Sequence, residues 1–401
     1  MTVDTGVTAL ERSCPICAHG FGERLFRQSF STLDESSFLD GYDVVICSEC
    51  GFGFADRIPP QTVFDAHYAQ MSRYEYHQRG GEESQYDRDR LQAIVATIEQ
   101  LVPDHDAKVL DVGCANGRLL SFLRDAGYTH GEGLDPSPAC AATALALYDV
   151  NVRVGTIKDL DRGTGRFDVM IALGVLEHIR DLSAAMRSLT STLTPGGFMY
   201  LAVPDAEVLA DWPNAPFQAF SNEHINFFSR ESLANLGRSV GLEPVFAHAG
   251  AFAQGPGTSE PWVATAFVKQ PGRRALVPDR ITGEALRWYI SGCRDQERAI
   301  HGTIDALVAR ESPLIVWGTG THTTRLLATS NLGKAKIEAY VDSNTHYQGM
   351  HLGGVPVISP HELRTHSAPI LISSRMYQDE IANQIRNTLG LTNELIRLYE
   401  L

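Results

Sequence analysis

Short apolar runs bounded by polar residues and glycine alternate in this chain with segments whose apolar residues recur at helical spacing. Residues 109–110 form such a run, and residues 118–126 then have helical spacing that stops at Gly127. The next predicted strand lies around residues 131–134 and ends at Asp135. Strand, glycine turn, helix and strand in this order predict a βαβ unit with a parallel sheet.

The last third of the chain repeats this alternation. Residues 279–290 and 304–309 have helical apolar spacing and predict two helices that link neighbouring domains. A buried strand over 314–317, a helix over 321–327 and a strand over 337–341 follow. The pattern predicts a second nucleotide-type α/β unit.

Length and composition narrow the class of protein. A chain of 401 residues with 43% hydrophobic and 20% charged residues is typical of a globular protein of two or three domains. Neither a secretory signal nor a long uncharged apolar stretch occurs, so we expect no membrane partner and a cytoplasmic location. The net charge of −14 argues against a nucleic-acid partner, although local Arg or Lys residues can hold a small anion.

Two Cys-x-x-Cys knuckles stand near the start of the chain, at Cys14 and Cys17 and at Cys47 and Cys50. Each knuckle can present two thiolates, and two knuckles together complete a tetrahedral four-thiolate zinc site. Because four thiolates leave no open position, we expect structural Zn²⁺ rather than a catalytic ion. The other cysteines are scattered, which favours a reducing compartment over a disulfide framework.

The glycine turn after the first predicted strand indicates which nucleotide the chain binds. A dinucleotide fingerprint has three glycines, whereas here Ala115 takes the middle position between Gly113 and Gly117. Asp135 stands about 20 residues further on, the spacing of an acidic residue that binds a ribose diol. Together with Asp111, these residues suit S-adenosylmethionine, which has a ribose and a zwitterionic tail but no phosphate.

Residues 109–117 resemble motif I of the class I methyltransferases. Residues 167–179 are similar to the fourth strand of that family and the turn after it, and residues 193–203 to its fifth strand. The resemblance implies that Leu173, at the end of the fourth strand, also lines the cofactor pocket. An α/β domain with an empty or NAD-filled crevice is the alternative interpretation.

Over nearly its whole length the chain resembles the three-domain sugar-nucleotide C-methyltransferases. The segments that carry this resemblance are the knuckles, residues 71–77, the methyltransferase motifs, residues 222–229, residues 313–320, 337–342 and 353–358. The resemblance implies an α/β fold: a Rossmann-like class I methyltransferase core, flanked by a small N-terminal zinc-ribbon module and a C-terminal Rossmann-like domain. The domains it implies are a zinc module at 1–70, a methyltransferase domain at 71–270, a helical linker at 271–312 and the last domain at 313–401.

The family's functional residues carry over to this chain position by position. Members methylate a carbon next to the ketone of a 4-keto-6-deoxy sugar carried on a nucleoside diphosphate. Glu223 and His224 match the pair that supplies the general base, and His178 matches the histidine that stabilises the enolate oxygen. The segment that lines the family's substrate cleft corresponds here to Tyr74, Tyr76 and His77.

Other functions stay open at this stage. Ser221 stands where C-methylating members often have Tyr, and Glu177 precedes the turn histidine as in many other methyltransferases. Methylation of a hydroxyl oxygen on a sugar or another natural product is therefore the alternative, and a non-catalytic binding protein is a further one. In the last domain, Asp342 and Arg375 are candidate contacts to a sugar nucleotide. We expect a monomer or a homodimer.

Overall fold

The computed structural model describes residues 6–32, 39–70, 84–160, 166–212, 214–255, 258–270, 272 and 274–399. In chain order the strands are β1 Val7–Ala9, β2 Phe21–Ser29, β3 Gly41–Cys47, β4 Gly53–Asp56, β5 Val109–Val112, β6 Gly131–Asp135, β7 Val152–Val154, β8 Phe167–Leu173, β9 Leu193–Pro204, β10 Asn226–Phe227, β11 Leu242–Gly255, β12 Thr258–Lys269, β13 Pro313–Trp317, β14 Lys336–Val341, β15 His351–Leu352, β16 Val355–Ile358, β17 Ile370–Ile372 and β18 Leu395–Arg397. The helices are α1 Gln61–Gln70, α2 Gln85–Leu101, α3 Arg118–Asp125, α4 Pro138–Tyr148, α5 Leu182–Thr192, α6 Arg230–Ser239, α7 Thr282–Ala309, α8 Thr321–Thr329 and α9 Gln378–Asn383. Among the helices of these ranges, none is long and apolar enough to cross a bilayer.

The chain forms two compact units. The first unit consists of Met1–Arg24, Val45–Trp212 and Glu223–Leu286, and the second of Leu25–Val44, Pro213–Asn222 and Arg287–Leu401. The predicted division into four consecutive segments stays a prediction.

A seven-stranded sheet forms the centre of the first unit, in the order β11-β12-β9-β8-β5-β6-β7. The strands from β7 to β9 are parallel, and every residue of β5 is buried. Buried leucines on α3 belong to the same apolar cluster as residues of β5 and β8, which explains the helical spacing in the sequence. This is the α/β, Rossmann-like core that the sequence predicts.

The chain reverses its direction across this sheet between β5 and β8. From β5 it proceeds to β6 and β7 on one side, and it then returns to β8 and β9 on the other. In open α/β sheets, ligands bind outside the carboxyl ends of the strands at such a switch point. The crevice beyond β5 and β8 is therefore the expected ligand site of the first unit.

A smaller sheet in the order β1-β2-β3-β4-β10 contains the second cysteine knuckle, since β3 ends at Cys47. Its last strand comes from far along the chain: β10 pairs antiparallel with β4, with Asn226 opposite Phe54. Phe52 and Phe228 pack with 5.0 Å between ring centroids. The residues that follow position 224 are thus built into the sheet of the knuckles.

The second unit contains a six-stranded sheet in the order β15-β16-β14-β13-β17-β18. Its strands are parallel except for β15, and its switch point lies between β13 and β17. This confirms the predicted Rossmann-like C-terminal unit. The two predicted linking helices are instead one continuous helix, α7. Gly292 and Gly302 lie inside it, and each lowers its stability by about 1 kcal/mol relative to alanine without ending it.

Candidate active site and cofactor pocket

Two glycines stand at the switch point of the first sheet. Gly113 follows β5 with φ +68°, and Gly174 follows β8 with φ +64°. A Cβ atom at position 113 would lie 2.5 Å from Cγ2 of Val175, so only glycine fits there without a shift of its neighbour. Leu173, the last residue of β8, is partly buried beside them. The backbone after β5 and the backbone after β8 therefore both border the crevice, with no side chain at positions 113 and 174.

Asp135 ends β6 and organises the neighbouring turn. One carboxylate oxygen accepts a hydrogen bond from the amide of Ala115 at 2.8 Å, and the other accepts one from the amide of Ser137 at 2.9 Å. Ala115 has φ +48°, an unusual conformation for a residue with a side chain. A carboxylate has about four lone-pair sites, so these two amides are compatible with binding of a ribose diol.

Asp111 lies in β5 and is buried. Burial, and secondarily the charge of Asp135, raises the pKa of Asp111 to about 8. Its carboxyl group is therefore mostly protonated at neutral pH, and a cationic ligand nearby would favour its ionised form. The two acidic residues thus provide different chemistry at one crevice.

Gly117 completes the turn and precedes α3. It has φ +73°, and a Cβ atom there would lie 3.1 Å from Cβ of Ala144 on α4. The structure brings the five predicted cofactor residues to the carboxyl ends of β5, β6 and β8: Asp111, Gly113, Gly117, Asp135 and Leu173.

His178 lies on a short 3-10 turn, Leu176–His178, after β8. Its Nδ1 is 2.8 Å from the hydroxyl of Tyr68 and 3.1 Å from the backbone carbonyl oxygen of Glu223. Its Nε2 is 3.8 Å from Oε1 of Glu177, a buried carboxylate. With the proton on Nε2, beside the carboxylate of Glu177, Nδ1 accepts from the Tyr68 hydroxyl; with the proton on Nδ1, that nitrogen can donate to the carbonyl of Glu223.

His224 lies close to this turn. Its ring and that of His178 are 4.9 Å apart between centroids and nearly perpendicular, at 75°. One donor atom from each of Glu177, His178 and His224 can be chosen so that all lie within 4.8 Å of one another. The structure thus brings together His178, His224 and Glu223, although the atom of Glu223 that contacts His178 is its backbone oxygen. We call His178 and His224 the histidine pair.

The predicted substrate-cleft residues Tyr74, Tyr76 and His77 lie outside the described residues. Sequence reasoning missed Tyr68, whose ring packs edge-on against His178 at 5.4 Å between centroids. Tyr68 is on α1, and no motif marks it. The signal in the sequence that could have pointed to it is that Tyr68 and His67 stand side by side just before residues 71–77, which contain two tyrosines.

The four knuckle cysteines come together as the sequence predicts. Their sulfurs lie within 4.8 Å of one another, and the Cys14–Cys50 and Cys17–Cys47 sulfur distances are each 3.5 Å. A disulfide needs about 2.05 Å, so these cysteines are not bonded to each other. Thiolates around tetrahedral zinc, each about 2.3 Å from the ion, lie about 3.8 Å apart. The cluster has the donor set and the approximate size for one such ion.

In the second unit, Asp342 follows β14 and accepts two hydrogen bonds from Thr319. The amide donates at 2.9 Å and the hydroxyl at 2.7 Å. Arg375 follows β17, and its guanidinium lies 5.3 Å from the ring centroid of Tyr399. The carboxylate of Asp342 thus fixes the turn after β13, on the side of β14.

Comparison with known proteins gives two family matches. Residues 86–246 match the family described as "Methyltransferase domain". Residues 311–396 match one described as "C2185-like, N-terminal". The first match spans β5 to β9 and the histidine pair.

Curated relatives include enzymes of two kinds. The C-methyltransferase NovU of Streptomyces niveus is 25% identical over 336 residues, which cover 81% of this chain and 77% of NovU. The ubiquinone biosynthesis O-methyltransferase of Methylobacterium nodulans is 35% identical over 106 residues. That alignment covers 25% of this chain and 42% of the relative, so the chain spans less than half of the O-methyltransferase's length.

Among solved structures, the chain is similar to the 1,6-didemethyltoxoflavin-N1-methyltransferase of Burkholderia thailandensis. The TM-score is 0.42 and the identity is 17%, over 56% of this chain and 98% of that one. Residues 86–246 form a class I methyltransferase domain, and the chain is an S-adenosylmethionine-dependent methyltransferase.

Proposed function

We propose that this enzyme methylates the carbon next to the ketone of a 4-keto-deoxysugar carried on a nucleoside diphosphate. The observation that supports it best is the histidine pair, 4.9 Å apart at the ends of the loops that follow β8 and β9. Removing a proton beside a ketone needs a base and a hydrogen-bond donor for the developing oxyanion. The likeness to NovU over 81% of this chain supports carbon as the acceptor.

In this mechanism each histidine has its own role. S-adenosylmethionine, when bound, supplies an electrophilic methyl group whose S–CH3 bond breaks as the bond to the acceptor forms. His224 takes the proton from the carbon beside the ketone, and the electrons of that C–H bond form an enolate. His178 donates from Nε2 to the enolate oxygen, while its Nδ1 accepts from Tyr68. Glu223 orients this loop through its backbone, and contacts of Tyr74 and Tyr76 with the substrate stay a prediction from the sequence.

The cofactor pocket follows the same proposal. Asp135 binds the ribose diol, and Asp111 faces the cationic end of the cofactor. Gly113, Gly117 and Leu173 shape the crevice. A nucleoside that carries a ribose and a positive charge but no phosphate fits this donor set, because the crevice has two carboxyl groups and a glycine turn.

We also propose that Cys14, Cys17, Cys47 and Cys50 bind one structural Zn²⁺. Three of the four cysteines are buried, and the cluster contains four thiols and no other ligand type. Such a closed set has no open coordination position and stabilises the fold.

Deuterium exchange tests the carbon acceptor directly. The enzyme is incubated in D2O with a 4-keto-deoxysugar nucleotide and S-adenosylhomocysteine, and exchange beside the ketone is followed by NMR. We expect exchange with the wild type and none with His224→Gln. The variant His130→Gln, at an exposed position, is the control. If the wild type does not exchange the proton on the carbon beside the ketone, the proposed C-methylation is wrong.

O-methylation of a hydroxyl group is the second candidate. The set of Glu177, His178 and His224 within 4.8 Å favours it, because two imidazoles and a carboxylate can bind a divalent cation that holds hydroxyl oxygens. The O-methyltransferases among the relatives support the same acceptor. Methyl transfer to a sugar hydroxyl that requires an added transition-metal cation such as Co²⁺ or Zn²⁺, without carbon exchange, would establish it.

A further inference from the structure

Arg12 is a buried cation whose side chain contacts five backbone or amide oxygens of the first unit. It is 4% exposed. One terminal nitrogen donates to the carbonyl oxygens of Ala55, at 3.1 Å, and Ile225, at 3.2 Å. The other donates to Oδ1 of Asn226 at 2.8 Å and to the carbonyl oxygens of Ile179 and Arg180.

Four of these five acceptors belong to the two segments that bear the histidine pair, and the fifth, the carbonyl of Ala55, lies in β4. Ile179 directly follows His178, and Ile225 directly follows His224. Asn226 joins the segments as well, since its Nδ2 donates to the carbonyls of Leu176 and Ile179 at 2.8 Å each. One guanidinium therefore contacts the backbone one residue beyond each histidine.

The backbone of Arg12 is itself fixed beside the first cysteine knuckle. Its amide donates to Oδ1 of Asp56 at 2.6 Å, and the amide of Glu11 donates to the other oxygen of that carboxylate at 3.2 Å. Two residues later, the knuckle closes with the amide of Ala18 donating to the carbonyl of Cys14 at 2.9 Å. The backbone from which the Arg12 side chain extends is thus fixed by hydrogen bonds to Asp56.

We propose that Arg12 is a positioning residue, which joins the cysteine knuckles to the histidine pair and sets the spacing of the two imidazoles. This inference rests on the proposed roles of His178 and His224. Arginine suits the task because its planar fork supplies several donors in fixed directions. Lysine has the same charge but a single ammonium, so it cannot bridge both segments.

The test is the variant Arg12→Lys, with Arg57→Lys as the matched control. The side chain of Arg57 is 56% exposed. We measure the rate of S-adenosylhomocysteine formation, the KM of the acceptor, the Kd of S-adenosylmethionine, the zinc content and the ring-nitrogen NMR resonances of the histidine pair. For Arg12→Lys we expect kcat to fall about 10- to 100-fold. The cofactor Kd and zinc content should stay within about twofold of the wild type, and the resonances of both histidines should shift.

Chemical rescue separates positioning from folding. Added guanidinium or methylguanidinium should restore part of the activity of Arg12→Ala and none of that of His224→Ala. The variant Asn226→Ala gives a second test of positioning. In the double variant with Arg12→Lys, the loss of kcat should be smaller than the sum of the two single losses, in free-energy terms. If Arg12→Lys keeps the wild-type kcat and histidine resonances, the proposal is overturned. It is also overturned if neither Arg12→Lys nor Arg12→Ala yields a folded protein that binds zinc, because Arg12 then serves the fold alone.

The readout of S-adenosylhomocysteine is independent of the acceptor atom. If the wild type transfers methyl to oxygen and does not exchange the sugar carbon, the proposed C-methylation fails. The effect of Arg12→Lys on transfer remains measurable in that case. The two proposals therefore fail separately.

Discussion

The ring of His178 stands edge-on to the ring of His224, with 4.9 Å between their centroids. The two residues come from loops after different strands, so their proximity is a property of the fold rather than of local sequence. One substrate group can therefore meet both imidazoles. Loss of either ring is expected to affect the chemical step more than cofactor binding.

For His224→Gln we expect kcat to fall by about 10² to 10⁴, the usual contribution of a general base. The Kd of S-adenosylmethionine should change less than about twofold, because the cofactor residues lie at other strand ends. Single-turnover rates and isothermal titration calorimetry measure the two quantities. Retention of the wild-type rate would show that another group removes the proton.

The Tyr68 hydroxyl is expected to fix the tautomer of His178. In Tyr68→Phe, Nδ1 of His178 loses its 2.8 Å partner and can donate to the carbonyl of Glu223 instead. Nε2 would then lack the proton that stabilises the enolate, so kcat should fall about 10-fold. Tyr86→Phe, at an exposed position on α2, is the control. Nitrogen NMR of His178 reads the tautomer, and an unchanged proton position on Nε2 would contradict this explanation.

Asp135→Asn should weaken binding of S-adenosylmethionine about 10- to 100-fold, which corresponds to the loss of charged hydrogen bonds to a diol. Asp125→Asn, at an exposed position on α3, should leave the affinity unchanged. Calorimetry with the 2′-deoxy analogue of the cofactor provides a second comparison. The analogue should lose affinity for the wild type and little for Asp135→Asn.

The buried carboxyl group of Asp111 predicts a pH-dependent stability. Its pKa is raised from 3.8 to about 8 in the fold, so its neutral form stabilises the folded state. That stability is fully present below about pH 4 and is lost as the pH rises towards about 8. The Asp111→Asn variant does not titrate, so its free energy of unfolding should rise relative to the wild type by up to about 1.4 kcal/mol per pH unit.

Urea unfolding without ligand at pH 6, 7 and 8.5 measures this difference. The control Asp125→Asn should show no such trend. A constant difference between Asp111→Asn and the wild type across this range would mean that Asp111 is ionised throughout.

Cys50→Ser should remove the zinc ion and lower Tm by about 5 °C or more, because a structural ion contributes directly to folding. Cys140→Ser, which alters a buried cysteine outside the cluster, should keep one zinc per chain. Metal analysis and thermal unfolding give both values. A Cys50→Ser protein that binds zinc with wild-type stoichiometry would exclude the four-thiolate site.

Local patterns in the sequence predicted much of this architecture. The glycine turn 113–117 and the acidic residue at the end of β6 could be predicted from spacing alone. Each of these positions is determined by steric or hydrogen-bonding contacts within its own βαβ unit. The doubled Cys-x-x-Cys spacing likewise predicted the sulfur cluster. In the second unit, the short apolar runs predicted β13 and β14.

Contacts between distant segments could not be predicted in this way. Tyr68 contacts His178, 110 residues away, and Arg12 contacts Asn226, 214 residues away, and neither lies in a motif. Apart from His67 beside Tyr68, nothing in their local sequence distinguishes them from an ordinary helix residue or surface cation. The continuity of α7 was missed for another reason, because two glycines inside a helix look like a boundary when packing is unknown.

The pairing of β10 with β4 has a consequence for biosynthesis. A nascent chain that has emerged only through β4 exposes the backbone donors and acceptors of that strand, until residues 226–227 leave the ribosome. An open strand edge of this kind invites wrong partners, so truncation before position 226 should yield a product that self-associates. The sheet of the cysteine knuckles is therefore completed only after β5 to β9 of the seven-stranded sheet have been synthesised.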